Sequence, residues 1–465
     1  MNDVTHIVED GLLGLNAGNG TGRHVKVGVS PIISNIPILI RNTMSVTQIR
    51  ELLGHSPLAD AAMDSAENGA AYTLCIPVKP SNIGEIGTVT SIKTGTGDIT
   101  VTGSPYNNFN IKIKIVNRGG LNEAVFVYSI NGGASYSDNI TVPDNGRYSI
   151  IEAGLELTFT SSEYLVNDKW EFKTIAPKLS NIEILEALKE IERINTEVEF
   201  CHIVGETNAE LWTAVSSYQE YLANIKNKPI LFVLETYNIN ETENIAEYAN
   251  RLIIDAKKVK NYNVQVVATH SEYLGMDAVK RNVNNAAIVC GWYAKARIEQ
   301  SIGEVRSFKM ALGKMNKLLP NGIEDYIEDL DVAKYLTFRQ YNGLDSYYVT
   351  NAKVMCPEGS DYRYLEDVRV LNKIIRLTRK EALMVLQTGV DIKDIQGDLD
   401  AKAVFISAPI KDMVKAKEIT SVEITVPEGQ DVLKTEKLTL KVRYVPIGKI
   451  RSIDIFIGVT NPVAG

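Results

Sequence analysis

Apolar and polar positions along the chain change their period several times. Residues 24–30, HVKVGVS, place Val25, Val27 and Val29 at alternate positions, which predicts a strand with one buried face. Helical spacing follows over 47–53 and 58–71, and 71–78, AYTLCIPV, reads as a buried strand. From 81 to 174 no helical period survives. Strand-like runs at 109–116, 124–130, 155–160 and 170–174 are separated by clusters of Gly, Asn, Asp and Ser. That spacing predicts an all-β, sandwich-like domain at 81–175, inserted into an α/β chain. The two ends of such an insertion should lie close together.

Alternation of helix and strand resumes at Ser180. Helices are expected at 181–194, 208–226, 241–258 and 276–283, and strands at 200–205, 229–235, 264–269 and 286–291. Four strands with crossovers predict a layered, mostly parallel sheet. Residues 23–80 and 176–336 thus form two parts of one α/β core. The acidic connector at 320–336 reads as a solvated face, or as a partner for basic groups on a neighbour.

The last part, 337–465, opens with two short strands around Asn342-Gly343. Ser360 and Asp361 then cap a helix expected over 361–388. Its apolar face is Leu365, Val368, Leu371, Ile375, Leu383 and Leu386, and the other side carries Arg363, Arg369, Lys373, Arg376, Arg379 and Lys380. Glu366 meets Val370 rather than a cation four residues on, so the positive excess is not neutralised along the helix. A further helix is expected at 401–417, and strands at 422–426, 437–446 and 450–459. Leu438, Leu440, Val442 and Tyr444 share one side of the second strand; Ile453, Ile455 and Ile457 share one side of the third. A terminal apolar strand is an aggregation liability unless something pairs with it.

Composition narrows the function classes. Among 465 residues the formal charge is −8, which argues against a general nucleic-acid coat. Cys75, Cys201, Cys290 and Cys356 form no close pair, so neither a zinc knuckle nor a disulfide framework is indicated. His6, His24, His55 and His202 have no metal-ligand spacing. The first residues, 1–22, lack the basic start and apolar run of a secretory signal and read as an arm ending in Gly18, Gly20 and Gly22. No run is long enough for a membrane span. At the expected strand ends, Glu235, His270 and Ser271 are the only set resembling acid–base machinery. No nucleophile elbow or phosphate loop accompanies them, so neither catalysis nor a cofactor is expected.

Two stretches, FRQYNGLDSYYVTNAKVM and EGSDYRYLEDVRVLNKIIRLTRKEAL, resemble the C-terminal part of contractile-tail sheath proteins of phages, prophages and phage-tail-like injection particles. A paired strand, SDY, an RV step and a basic helix occur there in order. The resemblance implies a non-enzymatic subunit made in a bacterial cytoplasm. It would form stacked hexameric rings around an inner tail tube, with baseplate and tail terminator proteins as further partners and neither nucleic acid nor membrane bound directly. It implies outer placement for inserted domains and exchange of terminal strands between subunits, here through Leu438, Leu440, Val442, Tyr444, Ile453, Ile455 and Ile457. It puts Arg369, Lys373, Arg376, Arg379 and Lys380 toward the tube. The proline-glycine opening of the commonest sheath proteins is missing. Another particle component, or a carbohydrate-binding protein using the insertion, is the competing reading.

Overall fold

The structure, a computed structural model, describes residues 21–459 and divides into two compact units between Lys373 and Ile374. Most of the expected N-terminal arm lies outside the described residues.

The first unit is built on a six-stranded sheet in the order Val264–Val267, Leu231–Thr236, Phe200–Thr207, His24–Val29, Tyr72–Val78, Ile38–Arg41. Five strands are parallel, and Ile38–Arg41 is an antiparallel edge. A parallel sheet is covered on both faces by its crossovers, and the run LFVLE in Leu231–Thr236 has the composition that requires. Helix Ala209–Asn224 starts at Asn208, whose side chain accepts the Leu211 N–H. Helix Ile245–Ala256 starts with a capping box between Asn244 and Glu247.

Strand His24–Val29 was expected to bury one face, yet all six residues are buried. Its polar members point into protein and need partners there. Lys26 Nζ lies 2.7 Å from His202 Nδ1. The His24 ring stacks on Phe200 at 4.7 Å between centroids, and its Nε2 is 3.1 Å from Thr73 Oγ1.

Two segments exchange their expected types. Residues 276–283 were expected to be helical, but the antiparallel pair His270–Leu274 and Lys280–Asn284 occupies this region. Residues 286–291 were expected to be a strand, but they begin helix Ala286–Lys295. Every residue from Ala286 to Tyr293 is buried, and a segment apolar all round shows neither period. Gly291 marks where this helix crosses helix Pro57–Glu67: a Cβ there would lie 2.6 Å from the Ser65 carbonyl oxygen. Ser65 Oγ donates to the Ala287 carbonyl at 2.6 Å.

Residues 81–175 hold two antiparallel sheets with their own core of Ile111, Ile113, Ile115, Phe126, Leu157, Phe159, Trp170 and Phe172. Two polar contacts tie this region to the α/β part. The Ser81 N–H and hydroxyl both donate to Glu183 at 2.6 Å, and Asn107 Nδ2 donates to Asp60 at 2.8 Å.

The strands around Asn342-Gly343 are Phe338–Gln340 and Ser346–Val349, with Gly343 at φ +86° in the turn. Helix Leu365–Val385 follows. Leu365, Val368, Val370 and Ile374 are buried, whereas Leu383 and Leu386, expected on the same face, are 48% and 66% exposed.

In the second unit, helix Ile395–Lys415 packs on strand Ile419–Thr425 and buries Leu399, Ala403, Ile406, Ile410 and Met413. That strand pairs antiparallel with Lys441–Pro446, matching Val422 with Tyr444 and Ile424 with Val442. Leu438 and Leu440, expected in the same strand, precede it without strand structure. The third expected strand is absent as well: residues 451–459 form no strand among the described residues.

Candidate assembly interface

The helix expected to present a row of cations divides into two kinds of position. Arg369 is 2% exposed. Its Nε donates to Glu199 Oε1 at 2.6 Å, and its Nη2 donates to Glu199 Oε2 at 3.2 Å and to the Tyr293 carbonyl at 3.0 Å. Nη1 reaches the Arg297 carbonyl at 3.3 Å. Glu199 Oε2 also accepts the Gly22 N–H at 2.6 Å, so the pair also holds the backbone at Gly22. Arg369 is therefore engaged inside the single chain. Its partner sits 170 residues earlier, where helical periodicity cannot see it. Lys373 and Arg376 are also buried, while Arg379 and Lys380 are exposed.

At the chain's other candidate surface, strands Ile419–Thr425 and Lys441–Pro446 form a sheet of only two strands, so each has one open edge. Val442 and Tyr444 are half-buried and alternate with exposed Lys441, Arg443 and Val445. A two-stranded ribbon is marginal without a further strand or packing partner. Beyond it, Ile453, Ile455 and Ile457 are 75%, 75% and 92% exposed, and Phe456 is 97% exposed. Their period of two is intact, but nothing among the described residues covers them.

The three residues that resembled acid–base machinery are not brought together. Ser271 Oγ donates to Asn285 Oδ1 at 2.5 Å, and His270 Nε2 faces Asn284 at 3.4 Å. Glu235 instead meets His202, whose Nε2 lies 2.9 Å from Glu235 Oε1. A protonated lysine can only donate, so Lys26 leaves Nδ1 of His202 as acceptor and puts the ring proton on Nε2, aimed at Glu235. Burial pushes Glu235 up to about 8, against the Gly205 N–H and the Lys26 charge. Burial also holds His202 well below the usual histidine range, helped by Lys26. Sequence reading missed this Lys26–His202–Glu235 chain. Its one available signal was a lysine in a valine-rich strand. Among the described residues no group of three metal-ligating side chains occurs, and no helix is long and apolar enough to cross a membrane.

Solved structures place the fold. The chain aligns with the sheath tail protein of Desulfitobacterium hafniense at TM-score 0.50 and 13% identity, covering 96% of this chain and 100% of that one. It aligns with the sheath of an extracellular contractile injection system, the PVC sheath complex in its contracted state, at TM-score 0.55 and 12% identity, covering 98% and 97%. The fold is thus the mixed α/β fold of contractile tail sheath proteins. By sequence, the chain belongs to the DUF2586 family, whose N-terminal domain matches residues 1–353 and whose C-terminal domain matches 361–464. It is 21% identical over 231 residues to a protein of Haemophilus phage HP1 (strain HP1c1) that carries the name of a tail sheath protein. That match covers 48% of this chain and 59% of the relative, so it spans about three fifths of the relative's length.

Proposed function

We propose that this chain is a structural, non-enzymatic subunit of a contractile tail sheath, of a phage or a phage-tail-like injection particle. Copies assemble as stacked hexameric rings around an inner tail tube, between baseplate and tail terminator proteins. Contraction then drives the tube through a target envelope, with energy stored in subunit packing rather than taken from a nucleotide.

The observation that carries this reading is the exposed alternation at 451–459 beside a ribbon with open edges. A strand donated by one copy to a neighbour's ribbon satisfies both at once: main-chain hydrogen bonds join the copies, and Ile453, Ile455 and Ile457 leave water. Each such side chain contributes roughly 1.5–3 kcal/mol on full burial. A contact of this kind between unlike surfaces builds a ring where its rotation closes and an open helical polymer where it does not, so it suits a helical stack of rings. Val442 and Tyr444 would lie on the receiving sheet, and Leu438 and Leu440 on its approach. Tube contact is proposed for Arg379 and Lys380, the exposed members of the five cations that the resemblance puts toward the tube.

Truncation after Pro446 tests the reading. The truncated chain should keep a cooperative melting transition and form no cylinders under negative-stain microscopy, alone or with its tube. Normal cylinders from the truncated chain would overturn it.

A further inference from the structure

The inserted β region carries a cationic cleft apart from the residues proposed above for assembly. Strand Asn110–Asn117 turns Ile111, Ile113 and Ile115 into the core and Lys112, Lys114 and Val116 outward. Strand Lys169–Ile175 likewise buries Trp170 and Phe172 and turns Lys169, Glu171 and Lys173 outward. The register sets Lys169 directly opposite Lys114, and Glu171 opposite Lys112. Lys112 reaches Glu171 at 3.3 Å, but Lys114 and Lys169 form no ion pair among the described residues. Residues 130–139 fold back beside this face, held by Ser137 N–H to the Tyr128 carbonyl at 2.8 Å and Tyr128 N–H to Ser137 Oγ at 3.0 Å. The result is a half-open cleft of about 350 Å³ whose lining includes Lys112, Lys114, Val127, Tyr136, Lys169 and one carboxylate, Glu171, which faces Lys112. Tyr136, 46% exposed, forms one wall.

Like charges placed directly opposite on neighbouring strands destabilise a sheet. Region 81–175 as a whole has more carboxylates than cations, so the cluster does not reflect a generally basic domain. An unneutralised lysine pair facing an aromatic wall has the form of a site that trades stability for binding. The cleft has the volume of a small-ligand site. Ammonium groups attract carboxylate or sulfate as point charges without demanding a planar fork. The tyrosine offers an apolar face and a hydroxyl to a ring stacked against it.

We propose that this cleft binds acidic sugar units of an anionic glycan, with Lys114 and Lys169 holding the anionic group and Tyr136 packing against the ring. The full-length protein should bind polygalacturonate or dextran sulfate saturably in isothermal titration calorimetry, more weakly as salt rises, and should ignore neutral dextran. Lys114→Glu should weaken binding at least tenfold while leaving the melting temperature unchanged or higher, because the new carboxylate faces Lys169. Tyr136→Ala should weaken binding without altering its salt dependence. Lost affinity with retained or increased stability separates this role from a structural one. Failure to bind either acidic glycan, unchanged binding by Lys114→Glu, a lowered melting temperature in that variant, or equal affinity for a single-stranded oligonucleotide would each overturn the proposal.

Discussion

Arg369 and Glu199 show how much one buried pair can hold. They are 2% and 1% exposed, and between them they engage the Gly22 N–H and the carbonyls of Tyr293 and Arg297. Removing one partner of such a pair strands the other charge without water. Arg369→Ala should therefore cost about 3–5 kcal/mol in urea denaturation. The double variant Glu199→Gln, Arg369→Met should recover much of that loss, since the glutamine oxygen still accepts the Gly22 N–H and no charge remains buried. An equal loss in the single and double variants would mean that packing, not charge, is what the pair supplies. Glu235 gives a second test, in pH. Its folded pKa of about 8 stands above the ordinary 4.5, because burial disfavours the carboxylate. The folded chain thus holds an extra proton between those values, and this group's contribution is greatest below about 4.5 and is lost as pH rises toward about 8. Glu235→Gln keeps an acceptor for His202 and should flatten that slope, raising stability near the upper end by roughly 1–3 kcal/mol. Denaturation midpoints measured across the same window decide it, and an unchanged slope would show that Glu235 does not titrate there.

Elements were legible where helix caps bounded them and illegible where a short apolar run lacked one. Strands Phe200–Thr207, Leu231–Thr236 and Val264–Val267 follow from short apolar runs between capped amphipathic helices. Helix Ala286–Lys295 does not, because AAIVCGWY is buried on every side and short apolar runs fit either element. Gly291 could have tipped that reading: mid-strand it has little purpose, while in a helix it admits the backbone of Pro57–Glu67. Gly291→Ala should push the Ser65 carbonyl and Asn68 away and destabilise the chain by about 1–3 kcal/mol, readable as a lowered melting temperature. A neutral result would mean that the two helices can slide apart without loss. The terminal strand poses the reverse case. Its alternation at 450–459 is clear in sequence, yet 451–459 form no strand among the described residues, because strand structure needs a second strand to receive its hydrogen bonds. The site residues divide in the same way. Exposed Arg379 and Lys380 were readable from helical period, but Glu199 as the partner of Arg369 depends on tertiary folding over 170 residues.

For the whole molecule, the cations of helix Leu365–Val385 fall into a buried and an exposed group that a sequence pattern merges into one. Arg369 holds the subunit together, so reversing its charge would report folding and say nothing about the tube. Arg379 and Lys380 are exposed, and exposed charges away from buried networks carry little folding energy. They can serve a long-range role instead: on an acidic chain of net charge −8, a local pair of cations can orient the subunit toward an oppositely charged surface. The combined variant Arg379→Glu, Lys380→Glu should therefore leave the melting temperature of the isolated chain within about 1 kcal/mol equivalent of the parent. It should shorten sheaths assembled on tubes and lower their yield. The defect should be largest at low salt, where like charges are least screened, and should shrink as salt rises. Tube-independent cylinders, if the chain forms them, should be unaffected, because strand donation by 451–459 involves other surfaces. Normal sheath length and yield on tubes at low salt would remove these two residues from the tube contact while leaving strand donation to stand on its own test.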